Sequence, residues 1–331
     1  MRRGKLTHLE PTRQSVARQI VPERATLPLV KLKGRVIVPI ARMKQKEPVG
    51  RDFGPLKSDV RQREPTPFLK WAGGKGQLLE QMTAFFPTDF GTYFEPFLGG
   101  GAVFFHVRPR IAILSDLNPD LIAVFLAVRD HPDEFMTALD LHRPKRNESS
   151  YYYRVRSLDP ARLNLVERAA RTVFLNKTCF NGLYRVNSKG AFNVPFGRYR
   201  NPTLYDPGNI WAANEALRGK IITLGDFRDI CEYARKDDFV YLDPPYQPIS
   251  ATSTFTAYTK GLFGQENQQS LAAVFRKLDK RGAKVMLSNS STDFIRSLYS
   301  GFHIEVLRAA RAINCKGTGR GAIDELLIMN F

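Results

Sequence analysis

Residues 238–246, Asp-Phe-Val-Tyr-Leu-Asp-Pro-Pro-Tyr, run from an apolar stretch straight into an acid, two prolines and an aromatic ring. That grouping suits activation of an amine conjugated to a flat ring, whose delocalised lone pair makes it a weak nucleophile. Asp243 and the carbonyl of Pro244 can each accept one amino hydrogen, because the amide joining Pro244 to Pro245 has no N–H to compete. The nitrogen is thereby drawn toward a tetrahedral shape with its lone pair exposed. Tyr246 offers a face on which such a ring stacks, an interaction worth about 1–3 kcal/mol per base. The plainer alternative is a tight strand exit with its aromatic packed in the core.

Chemistry at that point needs a strand to carry it. Val240, Tyr241 and Leu242 suit a strand covered on both faces, and the prolines, which cannot extend a ladder, end it at Asp243. In open α/β sheets ligands bind beyond the carboxyl ends of strands, where this group would stand. Two further stretches read as neighbours of the same crevice. Residues 67–79 place Trp71 and Lys75 around a glycine pair that opens a helix, whose free N–H groups favour a carboxylate. Residues 93–102 read as a strand entering a glycine loop and then a helix from Ala102 to Val107, an arrangement that lets backbone approach a ligand. A second strand, 111–115, ends in Asp116, which can accept ribose hydroxyls or cap the helix that follows.

The βα rhythm then lapses. Helical patterns at 119–130, 132–142, 148–158 and 161–178 lead to Asn176-Lys177-Thr178-Cys179-Phe180-Asn181-Gly182-Leu183-Tyr184-Arg185, followed by a predicted hairpin over 185–196. Interleaved basic, amide and aromatic side chains there can read base edges, with Phe180 able to wedge into a stack; an ordinary exposed polar loop is the alternative. The sheet resumes with a helix at 207–217, strands at 220–224 and 238–243, a helix at 265–281 and strands at 283–288, 302–308 and 323–330. The hydroxyl-rich loop from Ser250 to Tyr258 is placed to close over substrate, and the 311–321 loop, with Lys316 and Arg320, suits phosphate contact.

Composition bounds the class. The 331 residues carry a formal charge of +18, more than half of it in the first 64, which favours a polyanionic partner, nucleic acid before membrane. Residues 1–64 lack a sustained period and read as a disordered basic tail, with one weak strand at 35–40. Three cysteines, Cys179, Cys231 and Cys315, have no metal-ligand spacing and fit a reducing cytosol. Neither a signal peptide nor a membrane span is expected.

Taken in order, Phe68-Leu69-Lys70-Trp71-Ala72-Gly73-Gly74-Lys75, the loop Glu95-Pro96-Phe97-Leu98-Gly99-Gly100-Gly101, Asn193-Val194-Pro195-Phe196-Gly197-Arg198-Tyr199, Asp243-Pro244-Pro245-Tyr246 and Asp324-Glu325-Leu326-Leu327 resemble the DNA adenine methylase (Dam) family. The resemblance spans nearly all of residues 66–331. It implies an α/β fold: a Rossmann-like mixed sheet with flanking helices, the S-adenosylmethionine-dependent methyltransferase fold. Residues 65–118 and 206–331 would form the catalytic domain, interrupted at 119–205 by a mainly helical target-recognition domain with a β-hairpin. The implied reaction is methylation of the exocyclic 6-amino group of adenine in double-stranded DNA by S-adenosyl-L-methionine, after flipping of the base, at Gly-Ala-Thr-Cys nucleotide sites (GATC), by a cytoplasmic monomer without a metal. By motif position Trp71, Lys75, Glu95, Phe97, Gly99, Asp116 and Asp243 would contact the cofactor. Lys70, Phe180, Asn181, Leu183, Arg185, Pro195 and Tyr199 would meet DNA. The sequence departs from the family at Gly100, where Ala is more usual, at Phe180, where Tyr is common, and in its basic tail.

Rival readings are methylation of a cytosine amine or a protein glutamine, a catalytically silent DNA-binding regulator, and a nicotinamide oxidoreductase. Asp rather than Ser or Asn before Pro-Pro-Tyr leans toward adenine. The oxidoreductase rests on the glycine loop alone and leaves Asp243 to Tyr246 unexplained.

Overall fold

The computed structural model describes residues 31–32, 35–36, 63–247, 263–309 and 323–331. The Ser250–Tyr258 loop, Lys316, Arg320 and most of the basic tail lie outside the described residues. Of the weak strand expected at 35–40, two residues are described: β1 (Lys31–Leu32) pairs antiparallel with β2 (Arg35–Val36).

The remaining elements belong to one compact unit. A 3-10 turn at Lys75–Gln77 leads into α1 (Leu79–Thr83), so the helix expected after the glycine pair is two short pieces. Then come β3 (Tyr93–Glu95), α2 (Ala102–Val107), β4 (Ala112–Asp116) and α3 (Pro119–Asp130). The helical block continues with α4 (Pro132–His142), α5 (Ser149–Ser157) and α6 (Leu165–Thr178). The chain returns to the sheet through α7 (Pro207–Leu217), β5 (Ile221–Leu224), α8 (Phe227–Cys231) and β6 (Phe239–Leu242). It closes with α9 (Gln265–Lys280), β7 (Lys284–Ser290), α10 (Asp293–Leu298), β8 (His303–Ala309) and β9 (Ile323–Met329). Among the described residues no helix is long and apolar enough to cross a membrane.

The seven strands are ordered β5-β4-β3-β6-β7-β9-β8, the first five parallel and β9 antiparallel to both neighbours. This is the mixed sheet with flanking helices that the resemblance implied. From β3 the chain steps outward through β4 and β5, then crosses back to β6 and steps the other way. The switch point therefore lies between β3 and β6, where the connections diverge and leave a crevice at the carboxyl ends.

Alternation along the strands divides the core in two. Phe239, Tyr241, Tyr93 and Leu114 join one buried cluster with Phe104, Leu121, Phe125 and Ile210 from α2, α3 and α7. Val240, Leu242, Phe94 and Ile113 join the other with Phe227, Leu271, Phe275 and Ile295 from α8, α9 and α10. Helices thus cover both faces, which is why β6 reads as a continuous apolar run.

The helical block grips this sheet through α3 and α6. Asn118 caps α3 by accepting from the N–H groups of Asp120 and Leu121 at 3.0 and 3.2 Å, and Pro119 opens its first turn. Asn164 and Glu167 form a reciprocal capping box on α6. Buried Asp120 accepts from Arg168 on α6 at 2.6 Å and from the Tyr184 hydroxyl at 2.7 Å. A third cluster, including Tyr152, Phe174, Tyr184 and Val194, fills the block, and Trp71 packs against both this cluster and the first. The predicted hairpin over 185–196 is not a ladder. It has one isolated bridge, Val186 to Phe192, while Phe196 bridges to Cys179 instead. Pro195, lacking an N–H, cannot extend a pairing there.

The β3–α2 turn shows which glycines are required. Gly101 has φ 71°, and a Cβ there would stand 3.2 Å from Phe125 and 3.3 Å from Phe105; at Gly100 the nearest atom, on Trp71, is at 3.4 Å, an ordinary contact. Gly100→Ala, the residue usual in the resembling family, should leave the urea midpoint nearly unchanged, whereas Gly101→Ala should cost about 1–3 kcal/mol. Equal effects at both positions would contradict this reading of the turn.

Candidate active site

At the switch point β3 and β6 run side by side, Phe94 paired with Val240, so Glu95 and Asp243 emerge as neighbours. Asp243 Oδ1 lies 2.8 Å from Lys75 Nζ, whose side chain is only 3% exposed. The same ammonium donates to the Gly73 carbonyl at 2.7 Å and sits 4.9 Å from the centre of the Tyr246 ring. The Tyr246 hydroxyl donates to Glu325 Oε2 on β9 at 2.6 Å. One lysine thus anchors the acid, the aromatic and its own turn.

Burial shapes these acids. Desolvation pushes the Asp243 carboxyl up to about 6; Lys75 opposes the shift and the charge of Glu325 adds to it. Glu95, 2% exposed, accepts from the Tyr93 hydroxyl at 2.8 Å and is pushed up to about 8, mainly by burial and then, against the hydrogen bond from Tyr93, by the charge of Asp243. Near neutrality Asp243 is ionised and Glu95 is mostly protonated.

Asp116, at the end of β4, accepts from the Gly99 N–H at 3.0 Å and from the Asn118 N–H at 2.9 Å. Burial raises its pKa, and these N–H groups hold it back. The Trp71 indole lies against the glycine loop: a Cβ on Gly99, whose φ is 49°, would come within 3.0 Å of it. Phe97 stacks on Phe227 with ring centres 5.2 Å apart. Trp71, Lys75, Glu95, Phe97, Gly99, Asp116 and Asp243 therefore all belong to the carboxyl ends of β3, β4 and β6 or to the turns beside them.

Besides Glu325, four side chains at this end of the sheet fall outside the set predicted for the site. Gln268 on α9 donates to the Pro245 carbonyl at 3.0 Å, and Asn289 and Ser290 at the end of β7 hold Gln268 and Gln247. Asp226 heads α8 just beyond the β5 residue that pairs with Asp116. The switch from apolar to polar at Ser288-Asn289-Ser290 was a visible sign; nothing local marks Gln268.

A second surface forms around Asn176. Its amide accepts from the Lys70 N–H at 2.9 Å and donates to the carbonyls of Lys70 and Gly182 at 2.8 and 3.0 Å. This clamp brings the irregular segment at Lys70 against the 180–183 turn. A Cβ on Gly182, where φ is 64°, would collide with the Lys70 side chain. Lys70 Nζ lies 5.0 Å over the Tyr199 ring. Phe180 is 51% exposed and its N–H donates to the Pro195 carbonyl at 2.9 Å. Asn181 adopts φ 54°, Leu183 is half-buried, and Arg185 donates to Asn193 at 2.8 Å. Beside them Lys177 is pushed down to about 8 by burial and then by the charge of Lys70. Seven of the nine residues expected at DNA thus share one surface, with Lys316 and Arg320 outside the described residues.

Against this geometry, residues 71–313 match the family model of the D12 class N6 adenine-specific DNA methyltransferases. The chain belongs to that family. A type II methyltransferase of Methanocaldococcus jannaschii is 46% identical over 290 residues, covering 81% of this chain and 100% of its own. A type II methyltransferase of Lactococcus lactis is 42% identical over 271 residues, covering 80% of this chain and 95% of its own. A DNA adenine methylase of Vibrio cholerae is 35% identical over 264 residues, covering 79% and 95%.

Enzymes of the D12 class use S-adenosylmethionine as methyl donor. The residues present fit that group. Asp116 is a carboxylate at a strand end, able to accept ribose hydroxyls. Beside Lys75, no other atom of the described residues lies within 4 Å of the place where a Cβ on Gly73 would stand.

Glu95 makes the buried site sensitive to pH. An acid whose folded-state pKa is raised, here from 4.5 to about 8, contributes stability that is complete below 4.5 and lost as pH rises toward 8. Glu95→Gln keeps an acceptor for Tyr93 without the charge. In urea titrations the variant should gain on the wild type progressively across that window; a constant difference would mean that Glu95 does not titrate there.

Proposed function

We propose that this chain methylates the exocyclic 6-amino group of adenine in double-stranded DNA, at GATC, with S-adenosylmethionine as donor. The observation that carries the reading is the Lys75–Asp243 pair at the switch point, which fixes a carboxylate beside the Pro244 carbonyl. Lys75 engages Oδ1 and leaves Oδ2 to accept one amino hydrogen while Pro244 accepts the other. Tyr246, held by Glu325, stacks the base on the ring face away from Lys75. S-adenosylmethionine supplies an electrophilic methyl group when bound, held by Asp116, the Gly99 turn, Trp71 and Phe97. Asp243, ionised above about pH 6, keeps the amine oriented and takes up its proton.

The adenine must leave the duplex to reach Asp243, because an amine inside the stack is blocked; flipping costs a few kcal/mol. The Asn176 surface is where the duplex docks. Lys70 and Lys177 meet phosphate, Phe180 fills the gap in the stack, and Asn181 and Arg185 read base edges. In this reading residues 119–205 serve as the recognition domain, and the basic tail adds sequence-independent phosphate contacts. The protein acts in the cytoplasm as a monomer.

Purified protein given donor labelled in its methyl group should label N6 of adenine in a duplex carrying one GATC, and far less in a duplex with that site scrambled. Label on cytosine, or equal label in both duplexes, would refute the assignment. Asp243→Ala should lower turnover at least about 10²-fold with the fold retained. Wild-type turnover should fall about tenfold per unit below about pH 6; a flat profile would remove Asp243 from the chemical step.

A further inference from the structure

A buried polar network lies behind the proposed catalytic segment. Gln268, 0% exposed, is on the second turn of α9, and Asn289 and Ser290, 0% and 3% exposed, end β7. The Asn289 Nδ2 group donates to Gln268 Oε1 at 3.0 Å. With that oxygen engaged, the Gln268 amide must present its nitrogen to the Pro245 carbonyl, 3.0 Å away. Asn289 Oδ1 accepts from the N–H of Ser290 at 2.9 Å and of Gln247 at 3.4 Å, and the Ser290 hydroxyl donates to the Gln247 carbonyl at 2.8 Å.

Three backbone groups of Pro245 and Gln247 are therefore held by side chains from two other elements. The last pairing of β6 with β7 is Leu242 with Leu287, so sheet hydrogen bonds no longer hold the chain beyond Asp243. Neither proline has an N–H with which to fix itself. The Pro244 carbonyl owes its direction to what holds the next peptide group, and that is Gln268. Apolar side chains would fill this space without polar groups to satisfy, while each buried polar group left unpaired costs about 1–3 kcal/mol.

We infer that Gln268 is a positioning residue for methyl transfer: by gripping the Pro245 carbonyl, with Asn289 locking its amide, it aims the Pro244 carbonyl at the amino group of the target base. The inference rests on the adenine methylation proposed above and adds a residue that touches neither base nor donor.

Gln268→Leu and Gln268→Glu test it, measured with the wild type on a GATC duplex for kcat and for separate affinities of donor and duplex. Loss of the grip should lower kcat in Gln268→Leu about 100-fold, with both affinities within about threefold of wild type. Gln268→Glu supplies the rescue. As a carboxylate it cannot donate to Pro245, but protonated it can, and burial raises its pKa. Its kcat relative to wild type should therefore rise at least about tenfold between about pH 8.5 and about pH 6. Gln268→Leu with kcat within about threefold of wild type would overturn the inference, as would a pH-independent ratio for Gln268→Glu. If Gln268→Leu does not fold, the Gln268→Glu ratio decides alone. A wild type that labels no adenine would instead overturn the functional reading, and this inference with it.

Discussion

The ion pair between Lys75 and Asp243 is the constraint on which the rest of this site depends. Two charges withdrawn from water cost several kcal/mol each unless their geometry and further hydrogen bonds compensate. Here the compensation comes from the Gly73 carbonyl and the face of Tyr246, a ring held in place by Glu325, whose own charge works against ionised Asp243. The first motif, the strand-end motif and the final strand meet at the carboxyl ends of the parallel strands, because the order β5-β4-β3-β6-β7-β9-β8 brings β9 beside β7, one strand from β6.

The charge pattern separates two tasks. The chain as a whole carries +18, and the surface around Asn176 presents Lys70, Lys177 and Arg185. The switch-point site is acidic, with Asp243 paired to Lys75, Glu325 joined to Tyr246 and Asp116 at the end of β4. A cationic exterior draws in a polyanion, while carboxylates inside complement a donor whose reactive centre is positively charged. Burial sets the two proton affinities apart, Asp243 at about 6 and Glu95 at about 8, so neighbouring acids differ in charge at the same pH.

Most of the sheet was legible in the sequence because its signals are local. An apolar run stopped by prolines, glycines at a strand–helix turn and capped helical repeats each declare an element without help from distant residues. The helices at 102–107, 119–130, 132–142 and 207–217 match the structure to the residue. What could not be read was whatever depends on a partner far along the chain. Gln268 lies amid other polar residues of α9, and only the fold shows that it turns inward to Pro245. The turn around Lys75 was expected to favour a carboxylate, and the one found there is the chain's own Asp243, 2.8 Å from Lys75. The hairpin is shorter than its turn residues suggest for a related reason: the chain reverses at 187–190 and pairs at Val186 and Phe192, but how far pairing runs depends on competing bonds, and Phe196 finds Cys179.

The Asn176 clamp has an evolutionary corollary. It joins Lys70 and the 180–183 turn entirely through main-chain atoms, the N–H and carbonyl of Lys70 and the carbonyl of Gly182. Outward side chains such as Phe180 and Arg185 take no part in that joint. If these side chains read base edges as proposed, a lineage could exchange them without disturbing the joint that presents them. Target choice would then diversify by small, separable steps rather than by rebuilding the module.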